Sequence, residues 1–269
     1  MALEKVGQKI NWCWRLVATG FSFTLFGVGG LIVPLYAVPW LLMTRAGEVR
    51  ERRARWLVHI HFRFFINMMR ALGIMTYSLQ GLERLKAPGQ LILANHPSLV
   101  DVVLLIGLLP RADCVVKGGL LRNPFMRTVI KLAGYIANDN PEQVLQDARA
   151  SLARGNSLII FPEGTRTVPG QRLKLQRGAA NVALRLNLPI RPVVIVVTPP
   201  TLTKYVPWYK IPPTGPFHMA LAVKPQLAPG ELEMQADIPA SLAARQLTKR
   251  LEQYFTEELT HYAGARART

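Results

Sequence analysis

The stretch Leu91-Ile-Leu-Ala-Asn95-His96-Pro97-Ser98-Leu99-Val100-Asp101 carries a strand signal, a turn and a helix start in one short run. Its first four residues are apolar, which predicts a buried strand that ends at Asn95. Pro97 favours a turn, and Ser98 is a good helix N-cap with Asp101 in the first turn. This spacing places the Asp101 carboxylate beside the His96 imidazole, across the turn.

A histidine held by a carboxylate is suited to take a proton from a hydroxyl, because the carboxylate fixes the tautomer and stabilises the imidazolium. The chain has no G-x-S-x-G run that would present a serine nucleophile. We therefore expect the hydroxyl activated by His96 to belong to a substrate. A purely structural alternative stays open, since Ser98 and Asp101 also form a weak capping box.

A second run, Ser157-Leu-Ile-Ile-Phe161-Pro162-Glu163-Gly164-Thr165-Arg166, is another strand that leads into a loop. In open α/β sheets, ligands bind beyond the carboxyl ends of the strands, so both runs are expected at one edge of a sheet. Arg166, Lys174 and Arg177 bring cations suited to a phosphate. Gly164 permits a close approach of the backbone.

The chain from residue 74 onward alternates between short apolar runs and helical patterns, which predicts an α/β domain whose sheet is flanked by helices. The predicted strands are Met75–Gln80, Gln90–Asn95, Asp113–Lys117, Ser157–Phe161, Ile190–Thr198 and Phe217–Val223. The predicted helices are 98–109, 121–133, 141–154, 176–187 and 240–262. The proline-rich stretch 199–216 is predicted to be irregular, and a lid, a membrane-facing loop and a plain surface loop are all open there.

The segment 16–44 contains no charged residue and no histidine, and it is long enough to cross a bilayer. Both flanks are basic, whereas a single span usually shows positive charge mainly on one side. This favours a re-entrant helical hairpin that turns near Gly27–Gly30, with one tilted span as the alternative. We expect residues 1–73 to form a membrane anchor and residues 74–269 the main domain.

A basic amphipathic helix is predicted over 48–73. Its polar stripe consists of Arg52, Arg55, His59, Arg63, Asn67 and Arg70. Two interpretations remain open, namely a helix at the lipid interface and a solvated stripe on a helix packed against the main domain.

Composition restricts the class of protein. The chain has 33 Lys and Arg against 16 Asp and Glu, a net charge of +17, which implies a polyanionic partner. No nucleic-acid module with interleaved aromatic residues is evident, so lipid headgroups or an acidic carrier are favoured over nucleic acid. The hydrophobic share of 50% excludes intrinsic disorder. Cys13 and Cys114 are expected to be reduced, as in a cytosol-facing protein.

Together the two runs resemble the lysophospholipid acyltransferase family, which includes the 1-acylglycerol-3-phosphate acyltransferases. The family's N-H-x-x-x-x-D motif is met by Asn95, His96 and Asp101, and its F-P-E-G-T-R motif by Phe161 to Arg166. A K-x-x-L-x-x-x-P stretch at Lys117 and the run Leu188-Pro189-Ile190-Arg191-Pro192-Val193 also fit. The resemblance extends over roughly residues 75–225.

The resemblance implies acyl transfer from acyl-CoA or acyl-carrier protein to a hydroxyl of a lysophospholipid, without a metal or other cofactor. His96 would be the general base and Asp101 the residue that orients it. Lys117 and backbone N–H groups would stabilise the oxyanion. The substrate-binding residues implied are Asn95, Lys117, Glu163, Gly164, Thr165 and Arg166. Membrane lipids would be partners, and the catalytic domain would lie on the cytoplasmic face, at the inner membrane in a bacterium.

A silent lipid-binding scaffold on the same fold is a further alternative, which the intact His96–Asp101 pair disfavours. One departure from the family concerns the acceptor. The second family motif reads G-x-x-x-x-x-R, but this chain has Asn140 at the position of the arginine. Either Lys131 or Arg177 substitutes for that arginine, or the acceptor is a less anionic lyso-lipid or another hydroxylated lipid.

Overall fold

The computed structural model describes residues 2–228 and 239–266. Within them, one sheet is formed by the strands β1 (Met75–Gln80), β2 (Leu91–Ala94), β3 (Ala112–Val116), β4 (Ile136–Ala137), β5 (Ser157–Ile160), β6 (Ile190–Thr198) and β7 (Phe217–Val223). The helices are α1 (Ala2–Leu42), α2 (Glu48–Ala71), α3 (Asp101–Leu108), α4 (Pro124–Ala133), α5 (Pro141–Ala153), α6 (Arg177–Arg185) and α7 (Ala240–Arg266). The predicted α/β class is confirmed.

The strand order is β1-β7-β6-β2-β5-β3-β4, and every neighbouring pair is parallel except β6 with β7. The central strand β2 therefore runs parallel to both β5 and β6. Their carboxyl ends meet at one edge of the sheet, which brings the loops that follow them together. The six predicted strands are confirmed to within one residue at each end, and the two-residue strand β4 was not predicted.

The sheet is covered on both faces. On β2, Ile92 and Ala94 face a core shared with α2 and α3, whereas Leu91 and Leu93 face a core shared with α5, α6 and α7. This alternation follows from the two-residue period of a strand. Because both faces are buried, β2 is apolar at every position, and this is the signal that predicted it from the sequence.

The predicted turn near Gly27–Gly30 is wrong, because α1 is one continuous helix that passes through these glycines and through Pro34 and Pro39. The chain reverses at residues 43–47, and α2 returns antiparallel along α1. Gly30 packs directly against the backbone of Phe125 in α4, which explains a glycine inside a helix at this place. Glu4–Leu42 is long and apolar enough to cross a membrane, by length and composition alone.

The predicted amphipathic helix is confirmed as α2, which packs against α3. Its polar stripe is not uniformly solvated. Arg55 is buried and forms an ion pair with Asp113, with Nη2 and Oδ2 3.3 Å apart. His59 is buried too, with its Nδ1 3.0 Å from the Ile106 carbonyl oxygen. One side of the helix is therefore buried against the main domain, and the boundary at residue 73 stays a prediction.

Candidate active site

The two sequence runs meet at the edge formed by β2 and β5. The N–H of Thr167, in the loop after β5, donates to the carbonyl of His96 over 3.1 Å. The N–H of Leu99, in the turn after β2, donates to the carbonyl of Leu202, in the loop after β6, also over 3.1 Å. Three loops are thereby fixed to one another at the carboxyl ends of neighbouring strands.

His96 and Asp101 form a hydrogen-bonded pair across the turn. The Nδ1 of His96 lies 3.0 Å from Oδ2 of Asp101, and the same oxygen accepts the backbone N–H of Ser98 over 2.6 Å. Asp101 is fully buried, whereas the side chain of His96 keeps 19% of its surface exposed. Because Nδ1 faces the carboxylate, Nε2 is the ring nitrogen left for a substrate.

The helix α3 begins at Asp101 itself, three residues later than predicted. The Asp101 carboxylate accepts the N–H of Ser98, so it closes the turn in addition to holding the imidazole. Asp101 therefore has both the structural role of closing the turn and the geometry needed to orient His96. Burial raises the pKa of the Asp101 carboxyl, and its hydrogen bonds from His96 and Ser98 act in the opposite direction.

Glu163 lies beneath the turn that carries His96. Its Oε1 accepts the backbone N–H of His96 over 2.6 Å, and its Oε2 accepts the hydroxyl of Thr167. Only 5% of Glu163 is exposed, and burial raises the pKa of its carboxyl to about 7. The structure thus gives Glu163 a positioning role, and its predicted contact with substrate stays a prediction.

Asn95 is likewise buried. Its side-chain amide donates to the carbonyl of Ile195 and accepts the N–H of the same residue, each over 2.7 Å. These two bonds hold the end of β2 against β6. Substrate binding by Asn95 also stays a prediction.

Arg166 points toward the loop that follows β6. Its Nη1 donates to the carbonyls of Leu202 and Thr203 over 2.7 and 3.2 Å. Part of the guanidinium is therefore engaged with the backbone, although Arg166 also lines the cleft described next.

A cleft of about 790 Å³ opens beside His96. Of the predicted substrate-binding residues, Lys117, Gly164, Thr165 and Arg166 line it. The ring of Phe161 packs on His96 with a centroid separation of 4.5 Å, which fixes the imidazole plane from one side. Apolar side chains from β3 and α5 form much of the remaining wall, including Val116, Val144 and Leu145. The cleft can therefore hold an acyl chain beside a polar group.

Sequence reasoning missed one cation and its partner in this cleft. Arg185 lines the cleft and makes two bonds to the Glu142 carboxylate, of 2.6 and 3.1 Å. Lys131 and Arg177, the predicted substitutes for the missing arginine, are not among the described residues that line it. The face of α6 toward the cleft carries Gly178, Asn181, Val182 and Arg185, a helical spacing that was a readable signal.

Asn140 is the N-cap of α5. Its Oδ1 accepts the N–H groups of Glu142 and Gln143 over 3.0 and 3.3 Å. An arginine side chain has no oxygen and could not cap the helix in this way. The residue that departs from the family pattern therefore has a structural role here, as a helix cap. In the described part of the chain, no cluster of three or more His, Cys, Asp or Glu side chains is arranged to hold a metal ion.

Residues 77–196 match the family model described as Acyltransferase. A 1-acyl-sn-glycerol-3-phosphate acyltransferase from Cocos nucifera is 36% identical over 113 residues, which are 39% of this chain and 37% of that protein. The enzyme of the same name from Pseudomonas aeruginosa is 31% identical over 147 residues, which are 52% of this chain and 57% of that protein. The matches thus span about half the length of these relatives or less.

The fold resembles the crystal structure of the 1-acyl-sn-glycerophosphate acyltransferase PlsC from Thermotoga maritima, with a TM-score of 0.65 and 18% identity. That match covers 89% of this chain and 96% of the other chain. The family resemblance predicted from the motifs, and the fold that it implied, are confirmed.

Proposed function

We propose that this chain transfers an acyl group from an acyl thioester to the hydroxyl of a lysophospholipid such as 1-acylglycerol-3-phosphate. The observation that carries the proposal is the His96–Asp101 pair, in which the imidazole lines a cleft and the carboxylate lies buried behind it. The pair lies within residues 77–196, which match the family model described as Acyltransferase, and two sequence relatives are named for this reaction.

In the proposed reaction, Nε2 of His96 takes the proton of the acceptor hydroxyl as its oxygen attacks the thioester carbonyl. The Asp101 carboxylate stabilises the imidazolium that forms and keeps the ring oriented. When the tetrahedral intermediate collapses, the C–S bond breaks, and the imidazolium returns its proton to the departing thiolate. The products are an ester and a free thiol.

Charge develops on the carbonyl oxygen of the thioester during this step. Lys117 lines the same cleft and supplies a cation near it. Gly164 has a φ of 66°, a left-handed conformation that glycine adopts without a steric penalty, and it lets the backbone of the loop after β5 approach a ligand. Acyl-CoA and acyl-carrier protein are both suitable donors, and no metal or other cofactor is needed.

The acceptor has two candidates. Lys117, Arg166 and Arg185 line the cleft and would pair with the phosphate of 1-acylglycerol-3-phosphate. The alternative is a less anionic lyso-lipid or another hydroxylated lipid. It is favoured by the N-cap role of Asn140 and by Glu142, whose carboxylate already neutralises Arg185.

We also propose that the protein works at a membrane, with its catalytic domain on the cytoplasmic face. The exposed side of α1 carries large apolar residues along its length, among them Val17, Phe21, Leu31 and Leu35. α1 contacts the main domain at two places, through the Arg15 guanidinium on the Pro212 carbonyl and through Gly30 against the backbone of Phe125. This arrangement supports a helix that lies along the domain with one face in lipid.

The test uses purified protein in mixed phospholipid vesicles with acyl-CoA or acyl-carrier protein as donor. Each donor is paired with a panel of lyso-lipids, and the acylated product is measured by mass spectrometry. The proposal predicts product that disappears in His96→Ala. A protein that gives no product with any pair, or a His96→Ala variant with the rate of the unmodified protein, would contradict it.

A further inference from the structure

The loop between β6 and β7, residues 199–216, displays aromatic side chains that the core does not use. We call it the aromatic loop. Tyr205 is 81% exposed, Trp208 45% and Tyr209 52%. Tyr205 also has a φ of 67°, which is uncommon for a bulky residue. The backbone therefore holds this ring in the solvent at a conformational cost.

One end of the aromatic loop is fixed to the candidate active site. Leu202 is buried, and its carbonyl accepts both the Arg166 guanidinium and the N–H of Leu99. Arg166 follows the F-P-E-G-T segment, and Leu99 lies between His96 and Asp101. The loop thus begins at the turn that carries the candidate general base.

The other end of the loop is fixed to the N-terminal helix. The buried guanidinium of Arg15, on α1, donates to the carbonyls of Pro212, Pro213 and Gly215 over 2.8, 3.1 and 2.5 Å. Because both ends are held, the side chains that the loop presents come from its tip, residues 204–210. A hinged lid over the cleft does not fit such an attachment.

The middle of the loop lies against α1. The indole of Trp208 lies beside Gly20, where a Cβ would come within 3.3 Å of the ring, and its ring centroid lies 6.3 Å from that of Phe23. Val17 and Phe21, next to these positions on α1, are exposed apolar residues. The aromatic loop thus continues the exposed apolar surface of the helix.

The composition of the tip matches the headgroup region of a bilayer. Tyrosine and tryptophan have an apolar ring and a polar handle, and they concentrate at membrane–water interfaces. Two lysines flank the aromatic residues, Lys204 and Lys210, and the ammonium of Lys204 lies 4.8 Å from the Tyr205 ring centroid. Such lysines pair with lipid phosphates while their stems stay on apolar surface.

We infer that the aromatic loop is a second lipid contact of this protein, which places Tyr205, Trp208 and Tyr209 in the headgroup region of a phospholipid bilayer beside α1. The N–H of Leu99 and the guanidinium of Arg166 bond this contact to the candidate active site through the Leu202 carbonyl. The inference rests on the proposed membrane association. It adds that two elements, α1 and the aromatic loop, hold the cleft at the bilayer. The aromatic loop is the one that is bonded directly to the candidate active site.

The experiment places one fluorophore on the full chain. Cys13 is exposed and is replaced by Ser, whereas Cys114 is buried, and burial raises the pKa of its thiol, so it resists labelling. Tyr209→Cys then carries an environment-sensitive dye. The matched control is Lys249→Cys, an exposed site on α7, which covers the opposite face of the sheet. Both proteins are reconstituted in phospholipid vesicles that contain a nitroxide-bearing lipid, with the nitroxide near the headgroup.

We expect the nitroxide lipid to quench the dye at position 209 and a water-soluble quencher to leave it protected, with the reverse at position 249. Sedimentation of the vesicles and acyl transfer are measured on the same samples. If the protein sediments with the vesicles but position 209 behaves like position 249, the loop inference is wrong and the proposed function stands. If the protein does not sediment with vesicles, the membrane association and the loop inference both fail.

Discussion

At the scale of single residues, the site depends on which oxygen and nitrogen atoms face one another. The Asp101 carboxylate accepts from the His96 ring and from the Ser98 N–H. An asparagine at position 101 keeps one oxygen for these donors but has no negative charge. If its NH₂ group faces Nδ1 of His96, it favours the tautomer in which Nδ1 accepts, which is the wrong one for catalysis. In the serine-protease triad the equivalent change costs about 10⁴-fold in kcat.

We therefore expect Asp101→Asn to lower the acyl-transfer rate by orders of magnitude and His96→Ala to abolish it. Both variants are expected to remain folded and bound to vesicles, which circular dichroism and sedimentation check. An Asp101→Asn variant with a rate near that of the unmodified protein would show that the carboxylate only closes the turn.

The buried Glu163 carboxyl predicts that the stability of the protein depends on pH. Its pKa is raised from the ordinary glutamate value to about 7 by burial, so the folded state keeps a proton that the unfolded state has released. Stability is then highest below about pH 4.5 and falls as the pH rises to about 7, by on the order of 3 kcal/mol. Glu163→Gln keeps an oxygen for the His96 N–H but has no proton to lose.

The measurement is the thermal midpoint of both proteins in detergent between pH 4.5 and 8.5. We expect the two curves to lie close together at the acidic end and the Glu163→Gln protein to be the more stable at pH 8. Curves that stay parallel over the whole range would show that Glu163 is ionised throughout.

Motif spacing sufficed to predict the meeting of His96 with Asp101, because both lie on one turn and their separation is set locally. It did not predict that Asn95 and Glu163 lie beneath the cleft surface. Their partners, the Ile195 backbone and the His96 N–H, come from loops and strands that only the tertiary fold brings near. The Arg185–Glu142 pair was missed for the same reason, since it joins α6 to α5.

At the scale of elements, helix α1 shows where local propensity misleads. Glycines and prolines predict a break, yet α1 continues through them. Of three nearby glycines, only Gly30 lies against another chain segment, and a Cβ there would overlap the Phe125 carbonyl oxygen. Gly27 and Gly29 have open space around their Cα atoms.

We expect Gly30→Ala to push α1 away from α4 and to destabilise the protein by about 1–3 kcal/mol. Gly27→Ala and Gly29→Ala are matched controls in the same helix. They are expected to be neutral or to stabilise it by up to about 1 kcal/mol, since alanine favours a helix. Thermal melts of the three variants decide the matter, and equal midpoints would mean that α1 and α4 do not pack closely.

At the scale of the whole molecule, apolar surface and positive charge act together on a membrane. Salt screens the attraction of the +17 charge for anionic lipid but not the burial of α1. The intact protein is expected to stay in the membrane pellet through a high-salt wash. The triple variant Val17→Ser, Leu31→Ser, Leu35→Ser is expected to lose more protein to the same wash, since it removes three exposed apolar side chains from α1. Recovery of the intact protein in the soluble fraction without detergent would contradict the proposed anchor.

The choice of acceptor lipid depends on the charges around the whole cleft. If the acceptor is less anionic than 1-acylglycerol-3-phosphate, the unmodified protein acylates some other lyso-lipid faster in a competition assay. Asn140→Arg then shifts the preference toward 1-acylglycerol-3-phosphate, because it adds a cation next to the cleft. Asn140→Ser, which keeps an N-cap, is the control. A preference for 1-acylglycerol-3-phosphate that the added arginine leaves unchanged would refute this alternative.

The strand order has a consequence for the timing of synthesis. Among the described residues, β1 pairs with β7 alone, so the strand that ends at Gln80 has no neighbour until the chain beyond Phe217 has left the ribosome. At about 5–20 residues per second, that interval is on the order of ten seconds. The apolar helix α1 has already been synthesised when that interval begins. A nascent chain therefore offers its lipid-facing segment well before its sheet can close, and a chain that stops short of β7 leaves both β1 and β6 with an open edge.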